Sequence, residues 1–306
     1  MSKIATREAY GLALLEVAKQ DDSIVVLDAD LSGATKTSYV KKELPEQFFN
    51  AGIAEANMVT MAAGFATSGL KPFASSFAMF LAGRAFEQVR NSIAYPHLNV
   101  KLCATHAGIT VGEDGATHQC NEDMSLMRTL PGMVVLQPCD AIETREMVKF
   151  MANYEGPCYM RTSRMATESV HDSSYKFILG NIECLEKGNR VALLASGVMV
   201  QEAKKAIDVL VKLGIQPSLY NVPTIKPINE QQVQEIFGKY STIITLEEHS
   251  MYGGLYSTVC ELSHGKCNIV PIAIKDTFGE SGTPEELMRK YKIDAEEIVK
   301  TVLNEI

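Results

Sequence analysis

The seven cysteines, at positions 103, 120, 139, 158, 184, 260 and 267, include no C-x-x-C pair. That absence argues against both a zinc ribbon and a disulfide framework, and the expectation is a set of reduced, mostly buried thiols. Long apolar runs are missing too: no segment approaches the roughly 20 apolar residues needed to span a bilayer. The N-terminal Met1-Ser2-Lys3-Ile4-Ala5-Thr6-Arg7-Glu8 lacks the apolar core of a signal peptide. A cytoplasmic protein with no membrane partner is expected. There is no basic excess. A net charge of −8 argues against general nucleic-acid binding, while leaving room for local sites that take small phosphates. No G-x-S-x-G elbow is present, which removes the serine-hydrolase class, and there is no internal repeat or low-complexity tract.

What is present is an ordinary globular composition, 46% hydrophobic and 22% charged over 306 residues, long enough for about two domains. Thr6 to Lys19 carries apolar residues at helical spacing, with Thr6 as the expected N-cap. Short apolar runs at Ile24–Leu27, Gln47–Asn50, Lys71–Phe77, Val100–Thr105, Met133–Pro138 and Cys158–Arg161 read as strands, separated by helical stretches that include Met79–Ala94 and Ala141–Tyr154. Strands alternating with helices predict an α/β domain with a mainly parallel sheet flanked by helices. Residues 166–176 are polar, Ser-rich and without a helical or strand period. A first domain over 1–165, a linker over 166–180 and a second α/β domain over 181–306 are therefore expected. Strands of the second are expected at Val191–Ala195, Gln216–Asn221, Thr242–Leu246 and Val270–Ile274.

Between Glu46 and Lys71 the only charged residue is Glu55, at the head of an Ala- and Met-rich segment that is apolar on every face and follows a glycine turn. A carboxylate there must be protonated, paired or hydrogen-bonded. It either caps the first turn of its helix or serves chemistry. The strand at Ile24–Leu27 delivers Asp28, Asp30 and Ser32 at its C-terminal end, where open α/β sheets bind ligands. His106 to Gln119 is a long polar, glycine-rich loop of the sort that carries function. A metal site built from His106, Asp114 and His118 has neither the i, i+4 spacing of zinc peptidases nor that of a Cys/His finger, so no metal ligand is expected in this chain. Phe77 and Phe80, taken alone, are core residues. Glu247-Glu248-His249 before Gly253-Gly254 reads as a strand end turning into a helix, structural or interface-forming in role.

These features together resemble the C-terminal half of a transketolase. The resemblance covers essentially all of the chain and rests on G-I-A-E at Gly52–Glu55, S-F-A-M-F at Ser76–Phe80 and T-H-A-G-I-T-V-G-E-D-G-A-T-H-Q at Thr105–Gln119. A deoxyxylulose-phosphate synthase would carry Asp-Arg in place of Thr105-His106. The β subunits of 2-oxoacid dehydrogenases lack the long loop. The resemblance implies a pyrimidine-binding domain followed by a transketolase C-terminal domain, with thiamine diphosphate as cofactor. Glu55 then matches the glutamate that drives tautomerisation of the cofactor's aminopyrimidine, Phe80 the ring that stacks on it and Phe77 the pocket wall. Asp30 is placed beside the cofactor. His106 and His118 match groups that hold the sugar hydroxyls and the developing alkoxide. Asp114 matches a contact to a sugar hydroxyl, and Arg7 and Arg164 match the clamp on the terminal phosphate.

Two departures stand out. Many relatives have tyrosine where this chain has Gly83, and a serine where it has Ala34, with Ser32 and Thr35 close by. The Gly-Asp-Gly stretch and its following asparagine, which hold the diphosphate and a divalent metal (Mg or Ca), are absent. The resemblance therefore implies a split enzyme in which a separate N-terminal-half subunit binds both, in an α2β2 assembly acting on sugar phosphates. Two alternatives accompany that expectation: ketol transfer on a sulfonated or branched sugar, and a non-catalytic regulatory subunit of the same fold.

Overall fold

The computed structural model describes residues 3–306. Continuous apolar runs such as Ile24-Val25-Val26-Leu27 are buried along their whole length, as strands covered on both faces require. They assemble a seven-stranded sheet in the order 224–226, 134–136, 158–161, 101–105, 71–77, 24–28, 48–50. All its neighbours are parallel except the first pair. Strand Ile24–Asp28 is the point at which chain order reverses, because the next strand, Phe48–Asn50, pairs on one side and Lys71–Phe77 on the other. The crevice beyond the strand ends at such a reversal is where open α/β sheets take ligands. Asp28, Asn50, Phe77 and Thr105 all stand at that rim.

The second sheet has five strands in the order 268–274, 242–250, 191–195, 218–221, 183–186, parallel except for the last pair. Helix Met199–Lys212 lays Val200, Ala203, Ala206, Ile207 and Leu210 on it, an apolar stripe at the helical period. Both sheets are the α/β architecture expected from the sequence. All seven cysteines are free thiols and four of them are buried. Among the described residues no helix is long and apolar enough to cross a membrane.

Several local expectations are corrected. Thr6 is not an N-cap: Ala5 holds that position without a side-chain cap, and the Thr6 hydroxyl instead accepts from the Ser163 N–H at 2.8 Å. Residues 166–176 are not featureless, since Ala166–Thr167 pairs antiparallel with Ile4–Ala5 and His171 is buried. The stretch 79–94 is not one regular helix. Met79–Arg84 and Val89–Ala94 are π-helical, joined through Phe86–Gln88. Strand Thr242–Ser250 runs through Glu247, Glu248 and His249 rather than ending before them. Thr224–Lys226, far along the chain, crosses back to become the edge of the first sheet. One hydrophobic cluster accordingly joins Leu27, Met58 and Leu102 of the first sheet's surroundings to Ala192, Leu194 and Ile243 of the second.

Candidate active site

The turn after Phe48–Asn50 needs a residue with φ of +72°, which Gly52 supplies, and Asn50 Oδ1 accepts from the Gly52 N–H at 3.0 Å. Helix Glu55–Thr67 then starts with Glu55 itself, whose side chain is only 2% exposed. Its Oε2 accepts a hydrogen bond from Arg84 Nη1 at 2.8 Å. Arg84 closes the first π-helical segment, where the extra residue per turn changes the direction in which successive side chains leave the axis. Its guanidinium carbon sits 4.9 Å from the centre of the Phe80 ring. A planar, N–H-bearing group therefore already lies over Phe80 with a bond to Glu55.

Phe77, at the end of its strand, lies nearly parallel to Phe80, centroids 5.7 Å apart and planes 7° apart. The His106 ring also stacks on Phe77, at 3.8 Å, and His118 meets Phe80 edge-on at 5.4 Å. His106 is held at φ +56°, an uncommon conformation for a residue with a Cβ. Arg7 Nη1 lies 2.7 Å from His106 Nε2, and Thr105 Oγ1 lies 2.8 Å from its Nδ1. Arginine has only donors, so Nε2 accepts and the ring proton sits on Nδ1. Burial, and then the charges of Arg7 and Arg164, push the His106 pKa down to about 3, which makes the ring neutral. His118 is half-buried, with Thr117 Oγ1 3.0 Å from its Nδ1.

Arg7 also donates to the Ala34 carbonyl at 3.1 Å, so the backbone at Ala34 supports the guanidinium. Arg164 donates to the Val111 carbonyl at 2.8 Å and lies 3.6 Å from Asp114 and 3.7 Å from Glu113. Asp114 is thus partner to an arginine. The charge of Lys36 also bears on His106, and its amine pairs with Glu8 at 2.9 Å. This third cation was not singled out from the sequence, because one lysine in a polar turn carries no pattern. Ser32 is half-buried, while the Thr35 hydroxyl is committed to Asp28 at 2.7 Å. Asp30 stands apart from the ring cluster: it is exposed, at φ +65°, and exchanges two hydrogen bonds with Asn50 at 3.0 and 3.1 Å.

His106, Asp114 and His118 do not converge as metal ligands. Among the described residues the one close group of such side chains is Cys139, Asp140 and His171. There Asp140 is occupied by the N–H groups of Glu143, Val170 and His171 and by the His171 ring, so its oxygens are already satisfied. Glu247, before the Gly253-Gly254 turn, caps the helix that follows. Its carboxylate accepts from the Leu255 and Tyr256 N–H groups at 2.7 and 2.8 Å.

A cleft of about 940 Å³ runs from Phe80, Gly83 and Arg84 past Gln119 and Asn121 to Asp276 and Phe278 of the second domain. The side chains fit a flat, nitrogen-containing ring, because Phe80 offers an aromatic face, Glu55 a carboxyl group, and Arg84 shows that one planar N–H group reaches both.

The arrangement defines an α/β protein with a buried carboxylate and stacked aromatics at a sheet's reversal point. The family described as "Transketolase, pyrimidine binding domain" matches residues 2–169, and the one described as "Transketolase, C-terminal domain" matches residues 180–298. The chain belongs to the transketolase family, whose members imply thiamine diphosphate and a divalent metal. It is 45% identical over 305 residues to a Methanocaldococcus jannaschii protein whose name assigns it to a transketolase C-terminal section, covering 98% of this chain and 96% of that protein. It is 38% identical over 296 residues to the 6-deoxy-6-sulfo-D-fructose transketolase subunit of a Clostridium species, covering 96% and 92%. A solved structure titled as a split gene transketolase, inactive beta4 tetramer, superposes with a TM-score of 0.90 at 43% identity, over 99% of this chain and 98% of that one.

Proposed function

We propose that this chain is one subunit of a split, thiamine diphosphate-dependent transketolase that moves a two-carbon ketol unit from a ketose phosphate to an aldose phosphate. The observation that carries it is the buried Glu55 carboxylate beside the open face of Phe80, in a family whose cofactor has an aminopyrimidine ring. Thiamine diphosphate, when bound, supplies the electron sink for the carbanion. Phe80 and Phe77 hold its flat ring. Glu55 Oε2 would share a proton with a ring nitrogen, donating it when the carboxyl is protonated and accepting it when the ring carries it, and the apolar walls exclude the water that would compete. His106, neutral with its proton on Nδ1, and His118 face the reacting end of the sugar. Arg7 and Arg164, with Lys36 behind them, supply the positive charge for its terminal anion. Asp114 orients Arg164 and contacts a sugar hydroxyl; Asp30 borders the cofactor from its separate turn.

The diphosphate and its metal, Mg or Ca, fall to a separate N-terminal-half subunit in an α2β2 assembly. Support comes from two similar proteins matched over 96% and 98% of their own lengths, one named for a transketolase C-terminal section and the other titled as split-gene and inactive as a β4 tetramer. On this reading residues 1–165 form the pyrimidine-binding domain, 166–180 the linker and 181–306 the C-terminal domain, in a cytoplasmic enzyme. A second substrate reading, a sulfonated ketose, is favoured by the sulfofructose relative and by Gly83 and Ala34 in the sugar-facing region.

The test is to assay the purified chain alone and with the complementary chain, thiamine diphosphate and Mg²⁺, against phosphorylated and sulfonated ketose donors. Ketol transfer that needs both chains is expected. Full metal-dependent activity from this chain alone, shown by mass spectrometry to be free of a second protein, would refute the split-enzyme assignment. Preference for the sulfonated donor would select the second substrate class.

A further inference from the structure

We infer that Arg84 is a latch: in the free chain it occupies the place of the cofactor's ring, and it must swing out before that ring can seat. The inference rests on the assignment of Glu55 and Phe80 to the aminopyrimidine. Its geometry is direct. Arg84 Nη1 donates to Glu55 Oε2 at 2.8 Å while the guanidinium covers the Phe80 face at 4.9 Å. One hydrogen bond at that oxygen and one flat group on that face are already taken by Arg84, so a guanidinium and a pyrimidine exclude each other there.

Physical reasons favour both the closed and the open position. Glu55 is 2% exposed, and without a partner its carboxylate would be buried uncompensated; Arg84 supplies the missing charge and hydrogen bond. Arg84 itself is 54% exposed and leaves the end of a π-helical segment, so its side chain has solvent to move into. The same cleft offers a second seat. Asp276, exposed and lining that cleft, is in no ion pair within the described residues. Gly83, next to Arg84, adds no side chain of its own to the cleft wall.

A ligand that binds only the open form has its apparent affinity scaled down by the open fraction. Because the latch is a half-exposed ion pair, salt weakens it and raises that fraction. The isolated ring, 4-amino-5-hydroxymethyl-2-methylpyrimidine at pH 8, is uncharged and is the suitable probe. It can be titrated by NMR into the full chain as wild type, Arg84→Met, Arg84→Gln and Phe80→Ala, each checked for its fold by circular dichroism. The two Arg84 variants are expected to bind about tenfold tighter than wild type. Added salt should tighten binding to wild type and leave Arg84→Met unchanged. If both Arg84 variants bind equally or more weakly while Phe80→Ala abolishes binding, the latch is overturned and the ring-site assignment stands. Absence of binding to every form, or binding that Phe80→Ala leaves unchanged, overturns both.

Discussion

Arg7 Nη1 donates to His106 Nε2 at 2.7 Å, which places a permanent cation against an imidazole that is itself buried. Only a neutral ring can accept there, so Arg7 fixes the tautomer and, with burial, the charge of His106, and Thr105 Oγ1 accepts from its Nδ1–H.

Replacing Arg7 by methionine keeps much of the packing and removes the charge. The His106 pKa, about 3 beside Arg7, then rises, although burial, the larger cause, still holds it below its ordinary value. In the reconstituted enzyme the acid limb of the kcat/KM profile should move to higher pH than in wild type, and the His106 ring signals should titrate at correspondingly higher pH in NMR. An unchanged profile and an untitrated ring would dissociate His106 from Arg7.

Arg164 has a fork partly held by Val111 and Asp114, with the rest open toward solvent. Arg164→Ala is expected to raise KM for anionic sugars about 10–100-fold, the worth of one charge-assisted contact, and to leave uncharged sugars nearly unaffected. Steady-state kinetics on paired phosphorylated and unphosphorylated donors decides. Equal effects on both would remove Arg164 from the anion clamp.

Glu55→Gln retains an oxygen that accepts from Arg84, so the melting temperature of the free chain should move little. Turnover of the complex should fall about 10²–10⁴-fold, as loss of a proton-handling group does. A normal specific activity in the folded variant would return Glu55 to a purely structural role.

His171 bridges the start of helix Ala141–Asn153 and the edge strand of the second sheet, with Nδ1 3.0 Å from Asp140 and Nε2 3.0 Å from Glu183. Burial opposes its charge, but the Asp140 hydrogen bond and the neighbouring acids outweigh it and push the pKa up to about 9. A folded value above the unfolded one means that this stabilisation is complete below about pH 6.5 and is lost as pH rises through about 9. His171→Gln should therefore cost roughly 1–3 kcal/mol near pH 6, and the gap in denaturant midpoint from wild type should close by about pH 10. A gap independent of pH would show that packing, not charge, is at stake.

Asp123 neutralises Arg161, a guanidinium buried between the domains that also donates to the Cys120 and Glu248 carbonyls. Asp123→Ala leaves that cation uncompensated and should destabilise the chain by about 3–5 kcal/mol in urea unfolding. A loss under about 1 kcal/mol would mean that Arg161 finds another partner or water.

Strands such as Cys158–Arg161 and Val191–Ala195 were legible because a strand buried on both faces must be apolar throughout, and Glu55 was legible because it is the lone charge in an apolar segment. Sequence pattern therefore determined the α/β class, and the motifs at Gly52–Glu55, Ser76–Phe80 and Thr105–Gln119 carried the resemblance that gave the family. It could not show the π-turns at Met79–Ala94, whose composition suits an ordinary helix equally well. Nor could it show Thr224–Lys226 returning to the first sheet, because three residues carry too little periodicity to announce a partner about 90 positions away. Lys36, the proton on His106 Nδ1 and the seating of Arg84 on Phe80 were likewise decided only by the tertiary structure. Each depends on distances between segments far apart in the chain, and hydrogen bonding and ring stacking act over a few ångströms of space whatever the separation in sequence.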